Sequence, residues 1–277
     1  MFAIINNNHT NFKSSYLHPV DIKYKQSLQL ELKKSYGINC KLSDLSSIAG
    51  PMETRSIINL LKSKNYKVGK NFRANFHIHT NASDGRLTPQ EFLDACVDWA
   101  NNILKRKKDK LPPFSAAITD HDSVKSTKEA IVLISQNPDK YKNFKFISGC
   151  EFLFNGYKEP NSSFEAVALG FNPFATEIQP LTKGMGNVKN HVSDIPKIVD
   201  SGGVLSWAHP IYSPDKINDD FFVFLKQNGI NGIEGNYQYN TADSEYVESV
   251  KKELTPFIKK YNMFLTGGTD SHKKSIF

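Results

Sequence analysis

The stretch Phe76-His77-Ile78-His79-Thr80-Asn81-Ala82-Ser83-Asp84-Gly85 runs from an apolar segment straight into two histidines and an aspartate. Residues two apart on a strand face the same side, so His77 and His79 are placed to grip one ion. Asp84 returns from the turn that follows, where Gly85 permits a tight bend. Taken alone, a His-x-His pair is as often an ordinary packed or surface pair. Its meaning depends on whether other strand ends in the chain carry the same chemistry.

Outward from this stretch, apolar segments of strand length alternate with helical ones. Strands are expected at 73–79, 115–119, 144–152, 164–171, 203–208, 232–234 and 263–267. Helices are expected at 89–105, 126–135, 188–200, 219–228 and 242–261. Thr88-Pro89-Gln90-Glu91 opens the first of these as a capping box with proline at the first helical position. Gly202-Gly203 supplies the usual left-handed stop for another. Such alternation predicts an α/β domain, a mainly parallel sheet covered by helices, open or closed into a barrel.

Four more strand ends carry titratable groups. In Ile118-Thr119-Asp120-His121-Asp122 three of them follow an apolar strand directly, an awkward burial without a compensating cation. A polar loop with a helix cap fits the same residues. In Ser148-Gly149-Cys150-Glu151-Phe152 a lone carboxylate sits in an apolar strand, so it is either exposed at the strand end or coordinated. In Ser206-Trp207-Ala208-His209-Pro210 proline ends the strand after the histidine, which read alone is a core histidine. In Thr266-Gly267-Gly268-Thr269-Asp270-Ser271-His272 the last acid and histidine are again two apart. Together His77, His79, Asp84, His121, Glu151, His209, Asp270 and His272 fall at the ends of successive strands, where α/β folds assemble their active sites. Imidazole and carboxylate without thiolate suit several Mn, Fe or Zn ions.

The bulk numbers narrow the class. A chain of 277 residues with 39% hydrophobic residues fits a globular protein, and no apolar run reaches the length of a membrane span. The start lacks the basic region and long apolar core of a secretory signal. Cys40, Cys96 and Cys150 are odd in number and scattered, which predicts reduced thiols in a cytoplasm and no disulfide framework. The net charge of +7 sits wholly in residues 1–70, and residues 71–277 are neutral. The expected division is therefore a small basic N-terminal extension over 1–70, helical near 24–36 and 52–63, followed by the main domain over 71–277. The extension reads as a solvated segment or as an arm that attracts RNA by counterion release. The run Lys105–Lys110 reads as a solvated helix end and loop.

The motifs FHIHTNASDG, AITDHDSV, GCEF, WAHP and TGGTDSH resemble, in order and spacing, those of the polymerase-and-histidinol-phosphatase (PHP) family of metal-dependent phosphoesterases. The resemblance covers about residues 72–272 and is nearest to the stand-alone bacterial branch. It implies a distorted (β/α)7 barrel with two or three divalent cations at one face. Carried over by position, His77, His79, Glu151 and Asp270 would hold the first ion, and Asp84, His121 and His272 the second. Glu151 would bridge to a third ion shared with His209. The family's remaining third-ion histidine falls on Val167, and Glu165, two residues earlier on the same face, is a substitute. The gap between Gly170 and His209 leaves little room for the helical insertion of the oligonucleotide-hydrolysing members. The chain also ends at Phe277, close after the last motif, where members often continue, which points to a shortened C-terminus.

The implied reaction is hydrolysis of a small, nucleotide-like phosphate ester by a water that the ions activate and aim. His209 is expected to protonate the leaving oxygen where no third ion occupies it. Asp120 and Asp122 are expected to orient His121, and Arg86 to clamp phosphate. A non-catalytic metal- or nucleotide-binding module and a 5′–3′ exonuclease fed by the basic segment are the alternatives.

Overall fold

The capping box at Thr88 forms as its residues dictate. The Thr88 N–H donates to the Glu91 carboxylate at 2.8 Å, and the Glu91 N–H donates to the Thr88 hydroxyl at 3.2 Å. The computed structural model describes residues 18–63, 73–106, 113–159, 162–187, 189–235 and 244–277. The apolar start and most of the Lys105–Lys110 run lie outside the described residues, as do the ends of the N-terminal extension.

The first half of the chain carries α1 (Pro19–Tyr36), α2 (Pro51–Ser63), β1 (Ala74–Asn75), α3 (Pro89–Arg106), β2 (Phe114–Ala117), α4 (Lys125–Gln136), α5 (Pro138–Tyr141) and β3 (Phe144–Ile147). The second half carries β4 (Gly149–Asn155), β5 (Ser163–Leu169), β6 (Asn190–His191), α6 (Ile195–Asp200), β7 (Val204–Trp207), α7 (Asp219–Gln227), β8 (Ile230–Glu234), α8 (Ser244–Lys260) and β9 (Phe264–Thr266).

These strands build two sheets, a parallel one of order β1-β2-β3 and a mixed one of order β6-β4-β5-β7-β8-β9. The fold is α/β with parallel strands, as expected, but the ladders make no closed sheet among the described residues. Two details differ from the sequence reading. The single strand expected at 144–152 breaks at Ser148, because Gly149 turns the chain from one sheet to the other. An added Cβ at Gly149 would lie 2.6 Å from the Ile118 carbonyl oxygen. The helix expected over 188–200 begins only at Ile195, next to Pro196, while Asn190 and His191 pair with β4. Buried Asn190 is held out of any helix by donating to the Asp122 carboxylate at 2.7 Å.

β5 runs antiparallel to both of its neighbours, β4 and β7. Its first residues therefore lie at the end of the sheet where β4 and β7 finish. Residues beyond the strand ends tie the two sheets together: Asp270 N–H donates to the His77 carbonyl (2.9 Å), His79 N–H to Ser271 (3.0 Å) and Asp122 N–H to Glu151 (2.8 Å). The bond from Thr119 N–H to Ile78 (2.9 Å) extends the β1–β2 pairing within the parallel sheet.

Three cores follow from this layout. One joins the mixed sheet to α6, α7 and α8, and one joins the parallel sheet to α1, α3 and α4. The third lies between the sheets, where Ala74, Phe76, Ala117, Ile147, Val167, Leu169 and Ala208 meet Ile57, Ile58 and Leu61 of α2. Both N-terminal helices thus contribute buried side chains, Leu28 and Leu32 from α1 among them. Asp21 of α1 also caps α2, accepting from Met52 N–H (2.8 Å) and Glu53 N–H (3.1 Å).

Candidate metal centre

The strand ends put five imidazole and five carboxylate side chains around one centre. Glu151, on the inner face of β4, is fully buried, and its two oxygens divide the centre. Oε2 faces His77 Nε2 (3.1 Å), His121 Nδ1 (3.2 Å) and His79 Nε2 (3.3 Å). Oε1 faces His209 Nε2 at 2.8 Å. Asp270 Oδ1 lies 3.0 Å from His79 Nε2 and 3.4 Å from His77 Nε2. Further out, Asp84 Oδ2 lies 3.2 Å from His272 Nε2 and 3.8 Å from His121 Nε2.

Three sets of donor atoms are close enough to share an ion: His77, His79, Glu151 and Asp270; His79, Asp84, His121 and His272; and His121, Glu151 and Glu165. Seven of the eight residues expected as ligands fall in these sets, and the eighth, His209, lies beside them against Glu151 Oε1. The floor is dry, with His77, His79 and Glu151 fully buried, whereas Asp84 and His272 are 40% and 36% exposed and form the open side.

The donor set fits divalent cations on two observations. Among the described residues no lysine or arginine forms an ion pair with Asp84, Glu151, Glu165, Glu234 or Asp270, so imidazoles are the only cationic partners of five carboxylates. Buried carboxylates gathered without a compensating cation are costly. Asp270 Oδ1 is also buried without a well-aligned hydrogen bond.

The electrostatics follow from this crowding. Burial resists charging His77, but Glu151, Glu234 and Asp270 outweigh it and raise its pKa well above the usual histidine value. For His79 burial is likewise outweighed, by the Asp270 and Glu151 carboxylates beside its ring, and the pKa stands at about 9. His209 is raised against burial by Glu151. His121 goes the other way, because burial outweighs the pull of Glu151. Glu151 and Asp270 are lowered despite burial by the histidines around them. Burial, then the Glu151 charge, raises Glu165, and burial raises Asp122 to about 7.

Backbone strain concentrates in the same place. His209 (φ 28°), Asp270 (φ 47°) and Asp122 (φ 46°) all adopt positive φ, a costly choice for residues with a Cβ. Gly268 allows a close approach of two backbones, since an added Cβ would lie 2.6 Å from His77 N.

The expected second layer is arranged differently. Asp120 is buried and accepts from Thr80 N–H (2.6 Å), Thr80 Oγ1–H (2.7 Å) and Ser83 Oγ–H (3.0 Å), so it holds the loop that carries Asp84 rather than the His121 ring. Asp122 bonds Asn190 and Leu153 N–H rather than His121. Arg86 is exposed and forms no ion pair with the described carboxylates of the centre.

Sequence reading missed Glu234. It ends β8 fully buried, with Oε1 2.9 Å from His77 Nδ1 and Oε2 accepting from His209 N–H at 2.9 Å. The signal was available: a carboxylate closing the strand at 232–234 follows the same rule that picked out Glu151. A cavity of about 260 Å³ lined by Arg55, Asn59, Asn231 and Phe264 lies at the opposite ends of β7, β8 and β9, away from these groups.

No protein-family model matches the sequence. No curated protein matches it significantly. Among solved structures the chain is similar to a protein from Bifidobacterium adolescentis, provisionally described as a metal-dependent phosphoesterase. The two are 17% identical, the match covers 73% of this chain and 88% of the other, and the TM-score is 0.52. At that identity the likeness establishes the fold, and the chemistry rests on the residues themselves. No described helix is long and apolar enough to cross a membrane.

Proposed function

We propose that this chain is a metal-dependent phosphoesterase of the PHP type, acting on small, nucleotide-like phosphate esters. The observation that carries the reading is the convergence of His77, His79, Glu151 and Asp270, and of Asp84, His121 and His272, on one centre with a dry floor and an open side, without a lysine or arginine partner among the described residues. Each of these two sets would hold one divalent cation. Bound cations of this class polarise a phosphoryl oxygen and lower the pKa of water. Mn, Fe and Zn all suit the donors.

The chain's own groups prepare that chemistry. Glu234 at His77 Nδ1 fixes the tautomer whose Nε2 lone pair faces the centre. His272 Nδ1 donates to the Asp270 carbonyl at 2.9 Å, which turns its Nε2 toward Asp84. The exposed side formed by Asp84 and His272 gives a phosphate ester its approach, with Arg86 on the adjoining loop as the candidate anion contact. The finer fold reading belongs to the same proposal. The bonds between the strand extensions support a distorted seven-stranded barrel made of β1, β2, β4, β5, β7, β8 and β9.

The test is phosphate release from mononucleotides and aryl phosphates by Mn²⁺-loaded protein, beside Asp270→Ala and His79→Ala. Both variants are expected to lose turnover and keep the native circular-dichroism spectrum. Protein that retains its metal yet releases no phosphate from any ester would be a binding module instead, and either variant with near-normal turnover would overturn the site.

A further inference from the structure

The cavity at the ends of β7, β8 and β9 away from the metal centre has walls of two kinds. Ile58, Val204, Leu205 and Phe264 give it apolar surface, and Ile58 and Leu205 are themselves buried. Arg55 and Asn59 stand beside them, brought to one side of α2 by their spacing of four. Well-packed proteins leave few voids larger than a water molecule, and this one measures about 260 Å³. The turn at Gly229 helps to keep it open, since a φ of 83° favours the residue that adds no side chain.

Arg55 decides the charge of what fits there. It is half-buried, and its Nη1 donates to the Pro51 carbonyl of its own helix at 3.1 Å. No carboxylate among the described residues forms an ion pair with it. Burial lowers its pKa, opposed by the charge of Asp21, whose oxygens already accept from the Met52 and Glu53 N–H groups. The rest of the planar N–H fork, a shape that matches a carboxylate in a bidentate contact, has no partner among the described residues. Asn231 does not supply one, because its amide donates to the Gly229 carbonyl at 2.9 Å and accepts from Lys226 Nζ. Asn59 lies exposed at the rim.

The volume sets the size. A cavity of about 150 Å³ takes up benzene, so this space holds a ring or a short chain together with a carboxylate. One guanidinium balances one negative charge, and no second cationic side chain lines the walls, which favours a monoanion over a phosphate dianion.

We propose that this cavity is a second ligand site, taking a small monocarboxylate with an apolar body, its carboxylate on Arg55 and its body against Val204, Leu205 and Phe264. The site is independent of the phosphoesterase reading, since none of its wall residues belongs to the metal centre. With α2 on one side and the mixed sheet on the other, the occupant pins the N-terminal helix to the sheet.

The experiment uses the Mn²⁺-loaded full chain with benzoate, cinnamate and hexanoate as probes, each beside its uncharged amide. Saturation-transfer NMR and calorimetry at millimolar concentration read binding in the wild type, Arg55→Gln, Val199→Trp and Asp270→Ala, with melting curves as the check on folding. At least one carboxylate is expected to bind the wild type, and its amide to bind about tenfold more weakly or worse. Arg55→Gln should lose about 10- to 100-fold in affinity, the size of a charged hydrogen bond. Val199→Trp fills the rim from an exposed position and should block the carboxylate, whereas Asp270→Ala should keep it. Binding lost in Asp270→Ala and kept in Arg55→Gln would put the probe on the metal centre and overturn the site. Failure of all three carboxylates to bind the wild type would overturn it as well. Phenylphosphonate held through Arg55 more tightly than any carboxylate would overturn the choice of a monoanion. Should Arg55→Gln melt far below the wild type, Val199→Trp carries the test, and unchanged binding there would refute the site.

Discussion

Glu234 grips His77 by Nδ1 at 2.9 Å, and the same carboxylate fastens the His209 backbone through its other oxygen. Two histidines on different strands thus share one buried anchor, and one of them sits at a strained φ of 28°. Glu234→Ala would take the carboxylate partner from the His77 ring N–H and the His209 backbone N–H, a loss of about 1–3 kcal/mol for each. Partners of this kind are typically worth about 10–100-fold in metal affinity. Chelator competition with Mn²⁺ should show a loss of that size in Glu234→Ala. A smaller loss is expected in Glu234→Gln, whose amide accepts one of the two bonds. Unchanged affinity in both variants would remove Glu234 from the centre.

The raised histidines set a pH dependence for the metal-free protein. His79 titrates at about 9 in the fold and near 6.5 unfolded, so its contribution is complete below about 6.5 and is lost as pH rises through 9. His77 and His209 are raised too, and Asp122 and Glu165, also raised, act in the same direction. His121, which is lowered, opposes them. Glu151 and Asp270 are lowered, so they add stability above their ordinary range near 4 and lose it in acid. Metal-free protein should therefore melt higher at pH 6 than at pH 9. Cation binding must expel the imidazole protons, so the stabilisation gained on adding Mn²⁺ should grow over the same interval. A metal-free melting temperature that climbs from pH 6 to pH 9 would contradict these shifts.

How much of this was legible in sequence depends on what each residue's neighbours are. His77, His79, His121, Asp270 and His272 could be read because each follows an apolar strand at a spacing of two or beside a turn. Glu151 could be read because a lone carboxylate in an apolar strand demands an explanation. The partners of Asp120 could not, since Thr80 and Ser83 reach it only through the tertiary contact between two loops. Nor could the direction of β5. A hairpin from β4 to β5 and a crossover give similar apolar runs in sequence, and only the register of Glu151 against Val167 shows the reversal. The first part of the helix expected at 188–200 gave way for the same reason, because the bond from Asn190 to Asp122 spans 68 positions, while its end forms as α6.

Asp120 offers a second test of the layer behind the ligands. Its carboxylate accepts three hydrogen bonds from Thr80 and Ser83, fixing the loop that presents Asp84. Asn in its place turns an amide N–H toward groups that themselves donate. Asp120→Asn should weaken the ion held by Asp84, His121 and His272 by about tenfold or more, while the ion of His77 and Asp270 is kept. Stepwise Mn²⁺ titration separates the two steps, and an equal loss in both would mean that Asp120 supports the fold rather than the loop.

The basic N-terminal segment sets the design of any nucleic-acid experiment. Leu28 and Leu32 of α1 are fully buried against the parallel sheet, and Ile57 and Leu61 of α2 close the core between the sheets. Removing residues 1–70 would strip both cores, so lost hydrolysis in that deletion would report unfolding and not a missing arm. Leu28→Ala should cost about 2–5 kcal/mol in denaturant unfolding, the range for a buried leucine that leaves a cavity. A cost well under 1 kcal/mol would mean that α1 merely rests on the surface. Lys23, Lys33 and Lys34 are exposed on the same helix, so their replacement by Glu removes positive charge without touching Leu28 or Leu32. If the segment draws in RNA, oligonucleotide hydrolysis in that triple variant should fall with a flatter salt dependence while hydrolysis of small esters is unchanged. Equal rates on both substrates, at low salt and high, would assign the charge to solubility alone.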